Sequence, residues 1–261
     1  MAKIFAIALN KGGVGKSTTA AYLGAALARQ GKKVLLIDLD SQRNCTDCFP
    51  PEIYGLEETG NPENHVGKLL TGAITVTKAV HQANDQLDII PSHKDLLEYE
   101  EAIANKPRRE DLLRKAIRSY ADENYDYVLI DTPPHLGLAT YNALYTADYY
   151  LVPVTAEYFS YDGIDALIRK ANAVTEDTGL EFAGVVLTRY NEKERGKALQ
   201  AIASAIKEET YYKTFKTYIR KNAKIVEAQI EHLDLFTYAP ESAAAEDYTN
   251  LALELMDRYG R

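Results

Sequence analysis

A chain of 261 residues, 46% hydrophobic and 26% charged, has the material for one large core and the balance of a globular protein. Its net charge of −8 excludes a uniformly basic nucleic-acid coat, while leaving room for a local basic patch, because binding depends on where charge sits. Nothing approaches eighteen consecutive apolar residues and the chain enters a strand-like run almost at once, so no membrane helix and no signal peptide are expected, and the cytoplasm is the expected compartment.

Residues 3–9, KIFAIAL, are a short apolar run followed by NKGGVGKSTT (10–19) and an Ala-rich segment from Ala20 to Arg29. That order predicts strand, glycine loop and helix. Gly12, Gly13 and Gly15 permit backbone conformations closed to residues with a Cβ, so that N–H groups from Gly12 through Val14 to Thr18 can converge on one concavity suited to phosphate. The helix that follows adds its positive end, Lys16 can reach the β- and γ-phosphates, and the Ser17 hydroxyl is placed to ligate Mg²⁺. The usual loop, G-x-x-x-x-G-K-[ST], has glycine where Asn10 stands, and a second lysine, Lys11, stands beside it. Two ammonium groups so close need phosphate to neutralise them, from their own site or from that of a neighbouring chain.

Gln30-Gly31 suits a helix end, and KVLLID (33–38) reads as the second strand. It runs into DLDSQRN, where Asp38, Asp40, Gln42 and Asn44 follow a strand end beside the expected triphosphate; carboxylates there can orient water or hold a Mg²⁺ shell. Cys45 and Cys48, spaced C-x-x-C, are the only cysteines; a structural zinc site would need two further Cys or His ligands, a redox pair has no other support in the sequence, and buried or inert thiols are expected. Pro50 to His65 reads as a surface excursion. LDII (87–90), YDYVLID (125–131), DYYLVPV (148–154), FAGVVLT (182–188) and a weaker KTFKTYI (213–219) supply further strands. Helical patterns lie at 93–105, 109–123, 138–145, 161–177, 196–209, 223–231 and 241–258. The alternation predicts a single α/β domain over 1–261: a mostly parallel, doubly wound sheet of about seven or eight strands with helices on both faces. Asp131 closes an apolar strand, the place from which a carboxylate holds Mg²⁺ through water. Pro133 and Pro134 set an extended loop after it, and His135 reads as solvated or contacting a neighbour rather than catalytic. Arg189 and Asn191, after the strand at 182–188, could frame a base, although the polarity of a surface loop explains them equally well.

Late in the chain the charge turns basic, with Lys193, Arg195 and Lys197 in one stretch and Lys213, Lys216, Arg220, Lys221 and Lys224 in another. These form either a solvated face or, if folding joins them, an electrostatic site for DNA phosphates. In the final helix Leu251, Leu255 and Met256 make an apolar stripe among Glu246, Asp247, Glu254 and Asp257, which anionic lipid would repel; the helix is expected to pack on the body.

KGGVGKST, DLDSQRN, VLIDTPPHLG, the stretch at 136–164, LTRYN and YIRKNAKIVEA together resemble the ParA/MinD family of deviant Walker A ATPases. Ser41 stands where the family has proline, and Arg220 also replaces a proline. The resemblance implies ATP and Mg²⁺ as cofactors, with Lys11 reaching across a dimer interface to the partner's ATP, Lys16 on the phosphates, Asp40 positioning the attacking water, and Ser17, Asp38 and Asp131 around the metal. Members of the ParA branch bind nonspecific DNA, here implicating Arg195, Arg220, Lys221 and Lys224; members of the MinD branch end in a basic membrane helix, unlike the acidic helix at 241–258, so the ParA branch and no membrane partner are expected. The function implied is a slow ATPase that forms a sandwich dimer on nonspecific DNA in the nucleoid-containing cytoplasm. Hydrolysis, stimulated by a ParB-like adaptor, would release it while it positions a plasmid, chromosome or protein cargo. A MinD-like positioning ATPase, a small-molecule P-loop phosphotransferase and an iron–sulfur carrier using Cys45 and Cys48 are the alternatives.

Overall fold

Successive residues of the central strands point to opposite faces of the sheet, and both sets are apolar, so each strand is sealed from above and below. The computed structural model of the chain describes residues 1–56, 60–156, 160–191 and 197–260. In chain order it contains β1 (Lys3–Ile7), α1 (Lys16–Arg29), β2 (Val34–Asp38), α2 (Val66–Thr71), α3 (Val76–Ala79), β3 (His81–Asn84), β4 (Leu87–Ile90), α4 (Leu96–Ile103) and α5 (Leu112–Asn124). There follow β5 (Tyr127–Asp131), α6 (Leu138–Thr146), β6 (Tyr149–Thr155), α7 (Ser160–Thr178), β7 (Glu181–Thr188), α8 (Lys197–Glu208), α9 (Ala223–Ile230), α10 (Leu235–Tyr238) and α11 (Ala243–Tyr259). The seven strands form one sheet in the order β3-β4-β2-β5-β1-β6-β7, parallel except for β3. This is the doubly wound architecture that the strand–helix alternation predicts.

Two apolar layers follow from the alternation. Ile4, Ala6, Leu35, Ile37, Val128 and Ile130 face α2, α4, α5 and α6. Phe5, Ile7, Val34, Leu36 and Leu129 face α1 and α11. In α11 the stripe of Leu251 and Leu255 is buried in this second layer, and Tyr248 meets Tyr22 of α1 edge-on at 5.7 Å. The last helix therefore packs on the body as expected, and among the described residues no helix is long and apolar enough to cross a membrane.

Two expectations are corrected. Residues 213–219 are not a strand: a turn of 3₁₀ helix (Thr210–Tyr212) ends at Lys213, which has φ 45, and the chain then runs along β7 as a strap. Phe215 N–H donates to Val185 O and Ile219 N–H to Leu187 O, both at 2.8 Å, with one isolated bridge between Ile219 and Thr188. A left-handed residue at the start, and only sparse bonds to β7, keep this segment from becoming a ladder. The seventh strand is β3, an antiparallel hairpin partner of β4. Its sequence, HQAN, is polar and half exposed at the sheet edge, so no hydrophobic alternation marks it.

Because β5 lies between β1 and β2, the loops after all three open side by side at the carboxyl ends of the strands. Two bonds lash them together: Thr132 Oγ1 donates to Ile7 O at 2.8 Å and Leu39 N–H to Asp131 O at 3.1 Å.

Candidate functional site: a nucleotide groove at the strand ends

The loop from Asn10 to Gly15 joins β1 to α1 with Gly13 at φ 74 and Gly15 at φ 88, conformations that cost any residue with a Cβ. Gly12 is exposed and has open space around it. Gly15 is the N-cap of α1 and offers no side chain, so the first N–H groups of the helix have no side-chain cap. Together these make a backbone cradle for an anion. Val14 is buried and holds the loop in place, its carbonyl accepting from Thr188 Oγ1 of β7 at 2.8 Å.

Lys16 is buried, and its ammonium donates to the carbonyl of Lys11 at 2.8 Å. Burial pulls its pKa down, while Asp131 and Asp40 pull it back up. Lys11 is half-buried at the head of the loop, its N–H donating to Leu9 O at 2.8 Å.

Three carboxylates stand behind the loop, each fixed differently. Asp38 Oδ1 accepts from Asp40 N–H at 2.9 Å, and Oδ2 from Thr46 N–H and Oγ1 at 2.8 and 2.7 Å. Burial still raises its pKa to about 6, against the pull of those bonds. Asp40 Oδ1 accepts from Gln42 N–H at 3.0 Å. Asp131 is fully buried, and neither oxygen has a hydrogen-bond partner of good geometry. Burial and the neighbouring Asp38 carboxylate push its pKa well up; the nearby Ser17 hydroxyl pulls it back only in part. A buried carboxylate without a partner is costly. Hard oxygen donors beside a phosphate cradle are what Mg²⁺ requires, so Ser17, Asp38 and Asp131 fit that ion.

Ser41, in place of proline, does not leave the loop after β2 slack. Arg43, buried at φ 59, reaches Asp47 at 2.5 Å, Asn61 at 2.9 Å and the carbonyl of Gly60. His232, after α9, donates from Nδ1 to Asp47 O at 2.8 Å.

The cradle opens into a cavity of about 410 Å³ lined by Gly12, Gly13, Gly15, Lys16, Ser17, Thr18, Asp40, Gln42, Asn44 and Arg189, among others. A second cavity of about 340 Å³ adjoins it and shares Gly15, Thr18, Arg189 and Gln229. Its walls are largely apolar, with Ile219, Ile225, Val226 and Tyr248. A polar pocket over helix-end N–H groups joined to an apolar pocket has the form of a groove for a triphosphate and a base. The sequence does not announce Gln229. From α9 its amide donates to Thr18 Oγ1 at 3.1 Å at the waist between the two cavities, and contacts Cys48 Sγ at 3.9 Å.

The other sequence candidates separate. Arg189, at φ 51, lines both cavities; Asn191 is exposed on the next turn and lines neither. Lys221 is exposed at the rim of the apolar pocket. Lys224 is exposed and pairs with Glu227 at 2.6 Å. The guanidinium of Arg220 is bound by Asp247 at 2.6 Å, Glu246 at 2.7 Å and Ala243 O at 3.0 Å, so its charge is largely spent inside the fold. Arg195 lies outside the described residues, as does Lys193. His135 is exposed, as expected. Cys45 and Cys48 are buried free thiols, and burial raises both, Cys48 to about 12. Thiols so enclosed cannot bridge a cluster between two chain surfaces, which argues against the iron–sulfur alternative.

Comparison with known proteins agrees with this geometry. Residues 2–182 match a family described as an AAA domain. The chain is 36% identical over 259 residues to the sporulation initiation inhibitor protein Soj of Bacillus subtilis, covering 98% of each chain. It is 35% identical over 259 residues to the chromosome partitioning protein ParA of Caulobacter vibrioides, covering 98% of this chain and 94% of that one. Among solved structures, cobyrinic acid a,c-diamide synthase from Mycobacterium smegmatis, with bound ATP analog and magnesium, superposes with a TM-score of 0.80 at 26% identity over 100% of this chain and 98% of its own. With the deviant phosphate loop, the aspartates at the ends of β2 and β5, and full-length likeness to Soj and ParA, the chain belongs to the ParA/MinD family of P-loop ATPases.

Proposed function

We propose that the chain hydrolyses ATP with Mg²⁺ and uses the cycle to bind and leave nonspecific DNA as a homodimer, positioning a plasmid, chromosome or protein cargo through an adaptor that stimulates turnover. The observation that carries this reading is the partnerless, buried Asp131 beside Ser17 and the backbone cradle. When bound, Mg²⁺ would neutralise charge on the phosphates and hold them in line for attack.

The chain's own residues supply the rest. Backbone N–H groups from Gly13 to Thr18 bind the phosphates, and Lys16 exchanges the Lys11 carbonyl for phosphate oxygen, a short move with no new charge to bury. Asp40 orients the attacking water; its Oδ1 is tied to Gln42 N–H, which leaves its other oxygen for that water. The base lies in the apolar pocket between Arg189 and Val226, with the ribose near Gln229. Lys11 acts on the partner's nucleotide, so two chains close face to face only when triphosphate is present. Lys221, Lys224 and Arg195 carry the DNA contact, with Arg220 supporting the surface from behind. The site works in the cytoplasm on the nucleoid, and the stripe of α11, buried against the body, favours DNA over membrane as the surface bound.

An electrophoretic shift on nonspecific DNA with ATP, ADP or no nucleotide tests this, run in parallel on Lys11→Ala. A shift in ATP alone, lost in the variant, is expected. A shift equal in all three states, or unchanged by the substitution, overturns the dimer switch; turnover stimulated by a metabolite and indifferent to DNA favours a small-molecule phosphotransferase.

A further inference from the structure

Behind the phosphate cradle, one carboxylate oxygen of Asp38, one of Asp131 and the Sγ of Cys45 all lie within 4.8 Å of one another, and all three residues are fully buried. The presence of two acids and a thiol is not in itself a site. What marks this one is that both oxygens of Asp131 are without hydrogen-bond partners although buried, and one of them belongs to the cluster. Mg²⁺ at Ser17 accounts for a carboxylate in this place but gives no role to the sulfur, since hard cations take oxygen.

We infer that Asp38, Asp131 and Cys45 form a binding site for a thiophilic divalent cation, of which zinc and cadmium are examples, distinct in its donor set from the magnesium position at Ser17. Ligands around a tetrahedral zinc, with Zn–S of about 2.3 Å and Zn–O of about 2.1 Å, stand roughly 3.5 Å apart, so the cluster closes by side-chain adjustment without moving a strand. Two carboxylates and one thiolate leave a fourth position for water. The Cys45 Sγ–H bond breaks as the S–metal bond forms, and its proton leaves to solvent. Asp38 is already aimed: Thr46 N–H and Oγ1 hold its Oδ2 from the turn that also carries Cys45. A cation held here occupies the carboxylates that organise the magnesium shell, so the soft ion inhibits rather than serves.

Cation binding is independent of the ATPase reading and is tested without nucleotide, whereas the inhibitory role rests on that reading and is tested separately by turnover. Reduced full-length protein, free of other metals, is titrated with Cd²⁺ and the ultraviolet sulfur-to-cadmium charge-transfer band is recorded. Wild-type protein is expected to show a saturable band. Cys45→Ala abolishes it, Cys48→Ala keeps it, and Thr46→Val, which removes a bond to Asp38, weakens the affinity by about tenfold or more. Circular dichroism and thermal melting of each variant establish that it is folded, and Cys45→Ser serves if Cys45→Ala is not. No band in the wild type, a band that survives loss of Cys45, or one that depends on Cys48 instead overturns the assignment. In turnover assays Zn²⁺ should inhibit wild-type protein reversibly on chelation, with Cys45→Ala at least about tenfold less sensitive; equal sensitivity overturns the inhibitory role.

Discussion

At the proposed phosphate end of the groove a short run of consecutive residues lines the cavity largely with its backbone, whereas the proposed base end collects Thr188, Ile219, Val226 and Tyr248 from segments far apart in the chain. The first end is specified by conformations that only certain residues adopt. The second is specified by packing, which many side chains can satisfy. The cradle therefore depends on residue types that few substitutions can replace, and the apolar pocket on shape and burial that several side chains can supply.

The largest expected effect tests the phosphate end. Lys16→Ala should lower turnover by roughly 10²–10³ while leaving the fold intact, since it removes the buried cation that the proposed mechanism sets on the phosphates; a loss of less than tenfold would mean that the backbone cradle suffices. Asp131→Asn should also abolish most turnover, yet stabilise the nucleotide-free protein by about 1–3 kcal/mol at neutral pH, because a partnerless carboxyl costs free energy to keep buried, whether ionised or held protonated above its ordinary pKa. Urea denaturation measures this, and a destabilised variant would show that the charge has a partner.

The pH dependence carries the same sign. Asp38, raised from 3.8 to about 6, and Asp131, raised well above its ordinary value by burial and by Asp38, are tolerated best when protonated. The stability they contribute is full below the unfolded value and is lost as pH rises through their folded values. Nucleotide-free protein should therefore lose this contribution between about pH 4 and pH 6 for Asp38, and from the ordinary carboxylate range upward for Asp131. Asp131→Asn should flatten the upper part of that profile, and an unchanged profile would assign the loss elsewhere.

Smaller effects are expected at the base end. Gln229→Leu removes one hydrogen bond at the waist, about 0.5–1.5 kcal/mol, and should raise KM for ATP by roughly 2- to 12-fold with kcat nearly unchanged. An equal fall in kcat would move Gln229 into the reacting end. Smallest of all, Lys221→Ala should reduce the slope of log affinity for DNA against log salt by about 1, the loss of one phosphate contact. Arg220→Ala should instead lower the melting temperature, because it strands Asp247, which is buried beneath that guanidinium.

The same contrast explains what the sequence discloses. Gly13 and Gly15 need left-handed conformations, and that demand leaves a strict local trace. Asp38 and Asp131 end apolar strands, which periodicity finds without any knowledge of their neighbours. Gln229 and Tyr248 have no such trace, since only the packing of α9 and α11 against α1 brings them to Thr18 and Tyr22. Arg220 reads as a surface cation until the fold places Asp247 against it. The run at 213–219 carries a strand-like alternation, but Lys213 turns left-handed and β7 already receives the segment as a strap.

That strap has a consequence beyond the site. β7 is the last strand at its edge of the sheet, and Phe215 and Ile219 occupy its outward carbonyls at Val185 and Leu187, while Gly184 lets Lys213 O approach so closely that a Cβ would stand 2.3 Å from it. At the opposite edge β3 is four residues long and polar, with His81 bonded to Ile53 O and Asn64 O. Among the described residues neither border offers a long flat row of amides and carbonyls, so the sheet gives a second copy no template on which to extend it.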